Sequence, residues 1–208
     1  GDENPTLVEQ KLVVERHFRV PHRNIFPFGA PYRLARSYKN AAIAYLRRAP
    51  DIRFQGTNRA HGHSEVVRVV WDTALIDFSD LLKLFWECHD PTQGNRQGND
   101  RGSQYRSVIY ADDPGLLALA EASRDAYQAL LSSAGFGAIT TELRSNQILW
   151  YAEPYHQQYL AKPGSRPYCS AQPSGQRLGE FAGSAYKLDP RVWSSYDWTV
   201  AHCVLRRS

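Results

Sequence analysis

The spacing of hydrophobic residues predicts alternating strands and helices along the middle of the chain. A β-branched run over residues 66–71 predicts a buried central strand. Helical spacing predicts a short amphipathic helix over 38–48, which Pro50 ends. The other predicted elements are a strand at Ile52 and Phe54, a helix over 77–87 with Ser79 as N-cap, a strand over 105–110, a helix over 114–133 closed by Gly135, strands over 138–144 and 147–152, and a helix over 153–160.

This order of elements favours an α+β fold, with a two-layer sandwich built on a mostly antiparallel mixed sheet.

We expect the domain to cover residues 37–162. Residues 1–36, rich in proline, are predicted to form an N-terminal arm wrapped over it, with one short extended piece in 11–19 and buried apolar side chains. Periodicity disappears beyond Lys162, so residues 163–208 are predicted to be coil that packs through its aromatic residues. The arm side chains expected to be buried are Phe18, Ile25, Phe26 and Phe28.

Composition and charge narrow the class of protein. Hydrophobic residues make up 42% and charged residues 22% of the chain, which argues against a disordered protein. Charge interrupts each long apolar stretch, so we predict no transmembrane helix. The net charge of +4 comes from scattered Lys and Arg rather than one basic run, and we therefore expect no nucleic-acid partner.

Cysteine and methionine content bears on redox use and compartment. The chain has three cysteines, Cys88, Cys169 and Cys203, and an odd number cannot form a closed disulfide framework. Any redox reaction of the chain would therefore involve two of them. The sequence contains no methionine and begins with Gly1. This is compatible with an organellar, for instance mitochondrial, or exported protein after presequence removal, and the sequence leaves the compartment open.

A metal site is one interpretation of the histidines. His61 and His63 would face one side of an extended segment, and Cys88 and His89 follow later in the chain. Zinc sites usually show tighter paired spacing. We therefore expect neither a metal nor another cofactor.

A long polar segment, residues 89–104, separates the predicted helix 77–87 from the predicted strand 105–110. Ordered loops of this length are commonly functional. The alternative is a surface Ω-loop pinned by its own Asx-turns. Composition alone leaves both interpretations open.

Four segments in and around this loop carry recognisable motifs. They are His61-Gly62-His63-Ser64-Glu65-Val66-Val67, Phe85-Trp86-Glu87-Cys88-His89-Asp90-Pro91-Thr92-Gln93, Arg96-Gln97-Gly98-Asn99-Asp100-Arg101-Gly102-Ser103-Gln104-Tyr105-Arg106-Ser107 and Tyr151-Ala152-Glu153-Pro154-Tyr155-His156-Gln157-Gln158-Tyr159-Leu160. In this order and spacing they closely resemble successive motifs of the peptide methionine sulfoxide reductase A family. The resemblance implies that family's fold, a ferredoxin-like α/β sandwich.

The resemblance also implies a sulfoxide pocket. Glu65 matches the family's carboxylic acid, which hydrogen-bonds or protonates the sulfoxide oxygen, and Asp100 and Tyr105 match residues that line the same pocket. Reducing a sulfoxide to a thioether requires a proton on oxygen, and a carboxyl kept neutral in an apolar pocket is a good donor. Without the resemblance, Glu65 would be interpreted as a charged residue at the start of a strand.

The family's nucleophile motif, Gly-Cys-Phe-Trp-Gly, does not occur in the sequence. Counting back from the predicted helix 38–48 puts Ser37 near the place of its cysteine and Lys39 near that of its tryptophan. A serine hydroxyl is a poor nucleophile toward sulfur, so Ser37 cannot be expected to replace a thiolate. The segment 55–60 is also shorter than the family's loop before the Gly-His motif.

The three cysteines differ in the roles that the motifs imply. Cys169, in Pro167-Tyr168-Cys169, resembles the family's resolving cysteine. For Cys203, a buried small hydrophobic residue is preferred to a recycling thiol. Cys88 is expected at a helix C-terminus, where a structural role is preferred.

Two functional hypotheses follow. The first is a catalytically impaired relative that binds methionine or its sulfoxide, or serves as a structural subunit contacting partners through the arm and tail. The second is an active methionine-S-sulfoxide reductase that uses a relocated thiol, Cys169. We prefer the first, because a thiol in a mobile tail must lose conformational entropy that a thiol preset at a helix start does not.

Overall fold

The described part of the chain in this computed structural model comprises residues 12–15, 41–44, 64–69, 71, 73, 76–147 and 172–191. It contains seven strands, two α-helices and one 3-10 turn. They are β1 (Leu12–Glu15), β2 (Ala41–Ala44), β3 (Ser64–Val69), α1 (Phe78–Glu87), β4 (Arg96–Gln97), β5 (Asp100–Arg101), a single 3-10 turn (Ser103–Tyr105), β6 (Val108–Tyr110), α2 (Pro114–Ser133) and β7 (Glu142–Arg144).

Five of the strands form one mixed sheet in the order β2-β3-β1-β6-β7, and β4 and β5 form a separate small hairpin. β3 lies inside the sheet, between β2 and β1, as predicted for the β-branched run. The large sheet is mostly antiparallel, with β6 and β7 parallel. The registers set Leu12 opposite Val69, Ala42 opposite Val66, Val14 opposite Ile109, and Ile109 opposite Leu143.

The prediction of a helix over 38–48 is wrong where the chain is described, because Ala41–Ala44 is the strand β2. Its backbone pairs with the first half of β3, from Ala41 opposite Val67 to Ala44 opposite Ser64. The helix propensity of alanine is a weak preference that sheet pairing overrides. The position assigned to Ser37 was counted from that helix and loses its support, and Ser37 itself lies outside the described residues.

The extended piece predicted in 11–19 is confirmed at Leu12–Glu15, but it is not wrapped over the domain. This strand, β1, pairs with β3 on one side and β6 on the other. The arm's other predicted features lie outside the described residues, as do the strand at Ile52 and Phe54, the segment 148–152 and the helix 153–160.

The N-cap of helix α1 lies two residues before the predicted one. The N-cap is Asp77 rather than Ser79: Asp77 Oδ1 accepts hydrogen bonds from Ser79 N at 2.8 Å and Ser79 Oγ at 2.7 Å. In return, Asp77 N donates to Asp80 Oδ2 at 2.9 Å, which completes a capping box. Asp77 is the cap rather than Ser79 because the Asp77 carboxylate accepts from the backbone N and the hydroxyl of Ser79. The backbone N of Asp77 is in turn satisfied by Asp80.

Helix α2 has the predicted bounds. Asp113 Oδ1 accepts from Leu116 N at 2.9 Å, Pro114 occupies the first turn, and Gly135 ends the helix with φ of 82°. Trp86 of α1 donates from Nε1 to Ser123 Oγ at 2.8 Å and so fixes the two helices together. The core around them contains Trp71, Ile76, Phe78, Leu81, Leu82, Phe85, Trp86, Ile109, Ala120, Tyr127, Leu131 and Leu178.

Residues 172–189 contain neither helix nor strand, as predicted for the tail, and they run along α1. Pro190 and Arg191 are helical, so the prediction of coil is wrong there. Leu178 is buried near the C-terminal end of the helix, where its N donates to Glu87 Oε1 at 2.7 Å. Lys187 N donates to Asp80 Oδ2 at 3.0 Å near the other end. Aromatic packing contributes as well, with the Phe181 and Tyr186 rings 6.2 Å apart. In the part of the chain described, no helix is long and apolar enough to cross a membrane.

Candidate functional site

Glu65 is the second residue of β3 and is half-buried. Its backbone lies opposite Ile43 of β2. Because side chains alternate along a strand, Glu65 shares a face with Val69, which packs against the core of α1 and α2. Ser64 belongs to the other face, where its Oγ accepts from Tyr110 Oη at 3.4 Å. The sheet therefore directs the Glu65 carboxyl to its helix-covered side.

The polar loop 90–106 begins with the predicted Asx-turn. Asp90 Oδ1 accepts hydrogen bonds from Thr92 N at 2.9 Å and Thr92 Oγ1 at 2.7 Å, while Asp90 Oδ2 accepts from Gln93 Nε2 at 3.2 Å. Gln93 Oε1 accepts in turn from Gly98 N at 2.8 Å. These bonds hold the first half of the loop, residues 90–98, in one conformation.

Asp100 lies in the hairpin that β4 and β5 form inside this loop. It is opposite Gln97 in the register, directly after the turn at Gly98, whose φ is 57°. Opposed residues of an antiparallel pair project to the same side, so the Gln97 carboxamide and the Asp100 carboxyl are neighbours. Asp100 is half-buried.

Tyr105 ends the 3-10 turn Ser103–Tyr105, which lies against both β3 and β4. Its N donates to Gly102 O at 3.0 Å, and Gly102 N donates to Asn95 O at 2.9 Å. Gly102 has φ of 143°, a value that other residues rarely adopt. The structure thus places the turn of Tyr105 against the strand that carries Glu65, and also against β4 of the hairpin that carries Asp100.

The two ends of the loop are joined by a buried chain of polar groups. His89 Nδ1 is 2.8 Å from Phe85 O, His89 Nε2 is 2.8 Å from Ser107 Oγ, and Ser107 Oγ is 2.8 Å from Thr141 Oγ1. Burial lowers the pKa of His89 to about 4, so the ring is neutral at pH 7. A carbonyl oxygen only accepts, so Nδ1 carries the proton, Nε2 accepts from Ser107, and Ser107 accepts from Thr141.

Residues just before and within β7 also form bonds that hold the loop 90–106 in place. Thr140 donates from both N and Oγ1 to Pro91 O, each at 2.9 Å, and its Oγ1 accepts from Gly94 N at 3.0 Å. Arg106 donates to Ser103 O at 2.7 Å and pairs with Glu142 at 3.2 Å. The polar loop is therefore ordered by its own turns and by contacts with its surroundings.

Sequence reasoning missed two loop residues that the structure singles out. Gln97 is 1% exposed, and neither polar atom of its carboxamide has a hydrogen-bond partner among the described residues. Gln93 joins Asp90 and Gly98 and also reaches the tail, since its Nε2 donates to Gln172 Oε1 at 3.2 Å. A glutamine in a polar loop looks like a solvated residue in the sequence, and no local pattern distinguishes these two.

Cys88 is the C-cap of α1, and its Sγ donates to Phe85 O at 3.2 Å. This agrees with the expected position at the C-terminal end of the helix, where the helix dipole disfavours a thiolate. Cys169, Cys203, His61 and His63 lie outside the described residues. Within the described ranges, no three His, Cys, Asp or Glu side chains are grouped to hold a metal ion.

Comparison with known proteins identifies the family. A family model described as peptide methionine sulfoxide reductase matches residues 51–184, more than half of the chain. The chain belongs to the peptide methionine sulfoxide reductase family. The match includes β3, the loop 90–106, both helices and most of the described tail.

Curated relatives match this reductase-family chain over a shorter region. A peptide methionine sulfoxide reductase MsrA of Rhodospirillum centenum is 61% identical over 101 residues, which cover 49% of this chain and 46% of the relative. An MsrA of Pseudomonas syringae is 56% identical over 114 residues, covering 55% of this chain and 53% of the relative. The chain thus spans about half the length of the curated relatives it matches.

Solved structures extend the likeness in fold. Methionine sulfoxide reductase A of Corynebacterium diphtheriae has a TM-score of 0.63 and 31% sequence identity, with 83% of each chain covered. Reduced Mxr1 from Saccharomyces cerevisiae, at 21% identity and a TM-score of 0.57, covers 81% of this chain and 92% of its own and shares the fold. These likenesses and the mixture of helices and strands confirm the α+β class.

Proposed function

We propose that this chain binds methionine sulfoxide in a pocket formed by Glu65, Asp100 and Tyr105, as a catalytically impaired relative of the reductase. The observation that carries the proposal is the attachment of the loop 90–106 beside β3. The loop holds Asp100 and Tyr105 in hydrogen-bonded turns, and its 3-10 turn lies on the strand of Glu65. The nucleophile motif of the family does not occur in the sequence.

The chemistry of the three side chains suits a sulfoxide. Its oxygen is a strong hydrogen-bond acceptor, and the phenol of Tyr105 and a protonated carboxyl of Glu65 are donors. A half-buried carboxyl such as Glu65 loses part of its hydration, which makes its bond to a ligand stronger than one formed in water. Binding therefore requires no thiol, whereas reduction does.

Within the α+β class, we propose a two-layer, ferredoxin-like sandwich. The order β2-β3-β1-β6, with antiparallel neighbours throughout, supports it, and β7 adds a parallel strand. We also propose that the domain comprises 37–162 together with β1. Any assembly partner is proposed to contact the arm, because the described tail is already docked on α1 of the same chain.

The test is calorimetric titration with N-acetyl-methionine-S-sulfoxide, with N-acetyl-methionine as the control ligand. We expect binding of the sulfoxide and a loss of about tenfold in affinity for Glu65→Ala, which removes the proposed donor to the sulfoxide oxygen. Thiol-dependent reduction is expected to be absent. Sulfoxide affinity equal to that of the thioether, or unchanged in Glu65→Ala, would contradict the proposed pocket.

A second candidate function, reduction by a relocated thiol, is favoured by one contact. Gln93 donates to Gln172, which follows Cys169 by three residues, and Gln93 also holds Gly98 of the pocket loop. The segment after Cys169 is therefore attached to the loop that carries Asp100.

Activity assays separate the two functions. Turnover of the S-sulfoxide with dithiothreitol that Cys169→Ser abolishes and Cys88→Ser preserves would establish the relocated thiol and refute the impaired relative. Cys88 is the matched control because its Sγ already donates to a helix carbonyl. Absence of turnover in the unmodified protein would refute the relocated thiol.

A further inference from the structure

The pocket loop is closed at its base by a hydrogen bond between side chains. His89 precedes the loop 90–106 and Ser107 follows it, and their Nε2 and Oγ atoms are 2.8 Å apart. Both residues are buried, with 2% and 1% exposure. A bond between the residues that flank a loop fixes the separation of its two ends, and therefore restricts every residue between them.

The bond is extended on both sides by other parts of the fold. His89 Nδ1 donates to Phe85 O, so the ring caps the last turn of α1. Ser107 accepts from Thr141, the residue before β7. The loop base is thus tied to α1 at one end and to the edge of the sheet at the other.

We propose that His89 and Ser107 are positioning residues that hold Asp100 and Tyr105 in place for a sulfoxide ligand. The inference rests on the proposed function for the identity of the ligand. The proposal assigns neither residue a contact with the ligand, because both are buried and bonded to protein groups. Their effect is transmitted through the loop ends.

The molecule contains a matched control bond. Trp86 Nε1 donates to Ser123 Oγ at 2.8 Å, and Ser123 is as buried as Ser107. Both bonds join a ring nitrogen near the end of α1 to a serine hydroxyl. Ser107→Ala and Ser123→Ala therefore make the same chemical change and both leave a buried ring nitrogen unpaired, but only Ser107 closes the pocket loop.

The first measurement is limited trypsin digestion under native conditions, which does not depend on any ligand. Arg101 is exposed within the loop and reports its opening through cleavage of the Arg101-Gly102 bond. We expect Ser107→Ala to increase the cleavage rate by about tenfold over the native protein, and Ser123→Ala to change it less than twofold, because a lost buried hydrogen bond shifts the local equilibrium by roughly this factor. Equal rates in the two variants would overturn the inference.

The second measurement is affinity for N-acetyl-methionine-S-sulfoxide. We expect a decrease of about fivefold to tenfold for Ser107→Ala at a denaturation midpoint similar to that of Ser123→Ala, whose affinity stays within twofold of the native protein. Equal losses of affinity would overturn the positioning role. Failure of the native protein to bind the sulfoxide would refute the proposed function. The digestion experiment would still test whether the His89–Ser107 bond holds the loop closed.

If Ser107→Ala does not fold, a milder variant still tests the inference. Thr141→Val removes the hydroxyl that donates to Ser107 while keeping the shape of the side chain and the His89–Ser107 bond. We expect it to increase loop cleavage by about twofold to threefold. Cleavage indistinguishable from that of the native protein would contradict the extended chain of bonds.

Discussion

The carboxylate of Glu87 accepts a hydrogen bond from the backbone N of Leu178 at 2.7 Å, across the interface between α1 and the tail. Lys83 Nζ lies 2.6 Å from the same oxygen, Oε1, and also donates to Leu178 O. Glu87 is 1% exposed. Glu87 thus holds the backbone N of Leu178 and its ion-pair partner Lys83 holds the backbone O.

Replacing Glu87 by alanine should therefore destabilise the protein. The change leaves the ammonium of Lys83 and the amide of Leu178 without their shared acceptor, and we expect the free energy of unfolding to fall by about 3 kcal/mol. Asp125→Ala is the control, because its pair with Arg124 is exposed, and should cost no more than about 0.5 kcal/mol. Urea denaturation measures both, and similar losses would show that the tail contact contributes little.

The buried His89 should make stability depend on pH. Its pKa is lowered to about 4 in the folded protein by burial, whereas the unfolded value is near 6.5. Between these values the unfolded state binds more protons, so stability falls as the pH decreases from about 6.5 to about 4, by about 1.4 kcal/mol per pH unit.

Other buried groups have the opposite effect on the pH dependence of stability. The contribution of His89 must therefore be measured by comparison with a variant that lacks it. Burial raises the pKa of Asp80 and of Glu87, which favours the folded state as the pH decreases. His89→Asn keeps a donor for Phe85 O and removes the titrating ring. The difference in unfolding free energy between native protein and variant should shrink as the pH falls from 6.5 to 4. A difference that is constant over this range would show that His89 does not titrate as its burial implies.

Gly102 should tolerate no side chain. Its φ is 143°, and a Cβ atom there would lie 2.2 Å from Gln104 Oε1. Gln104 can move aside, so backbone strain of about 1 to 3 kcal/mol dominates the cost of Gly102→Ala. Gly137→Ala is the control, because a Cβ at Gly137 meets nothing within 4 Å. Thermal unfolding and sulfoxide titration should show losses for Gly102→Ala alone, and equal behaviour of the two variants would argue against strain at Gly102.

Local signals in the sequence were sufficient for α2 and for β3. Pro114 and Gly135 mark the ends of α2, and β-branched residues identify the interior strand. Local signals misassigned Ala41–Ala44, because its conformation is decided by pairing with β3. The cap of α1 was missed by two residues, since Asp77 and Ser79 are both good caps and the partner Asp80 selects between them.

The candidate site likewise has a part that the sequence predicts and a part that only the structure shows. The resemblance to the family predicts Glu65, Asp100 and Tyr105 as pocket residues, which stays a prediction, and the structure shows how the loop that carries Asp100 and Tyr105 is held. The bonds from His89 to Ser107 and from Gln93 to Gln172 join residues that are distant along the chain. No periodicity or motif spacing encodes such contacts, because each depends on the packing of α1, the sheet and the tail.

The contact between Gln93 and Gln172 leads to the last prediction, which concerns the reactivity of Cys169. Gln93 Nε2 donates and Gln172 Oε1 accepts, so Gln172→Ala removes the contact whereas Gln172→Glu keeps an acceptor. In a background of Cys88→Ser and Cys203→Ser, Cys169 is the single thiol, and its alkylation by iodoacetamide reports how the neighbouring segment is held. An exposed neutral hydrogen bond contributes about 0.5 to 1 kcal/mol, so Gln172→Ala should raise the alkylation rate by about twofold to fivefold. Gln172→Glu should stay close to the native rate when salt screens its charge from Asp90. If alanine and glutamate give the same rate, the contact does not restrain the segment that follows Cys169, and the support it gives to a relocated thiol is lost.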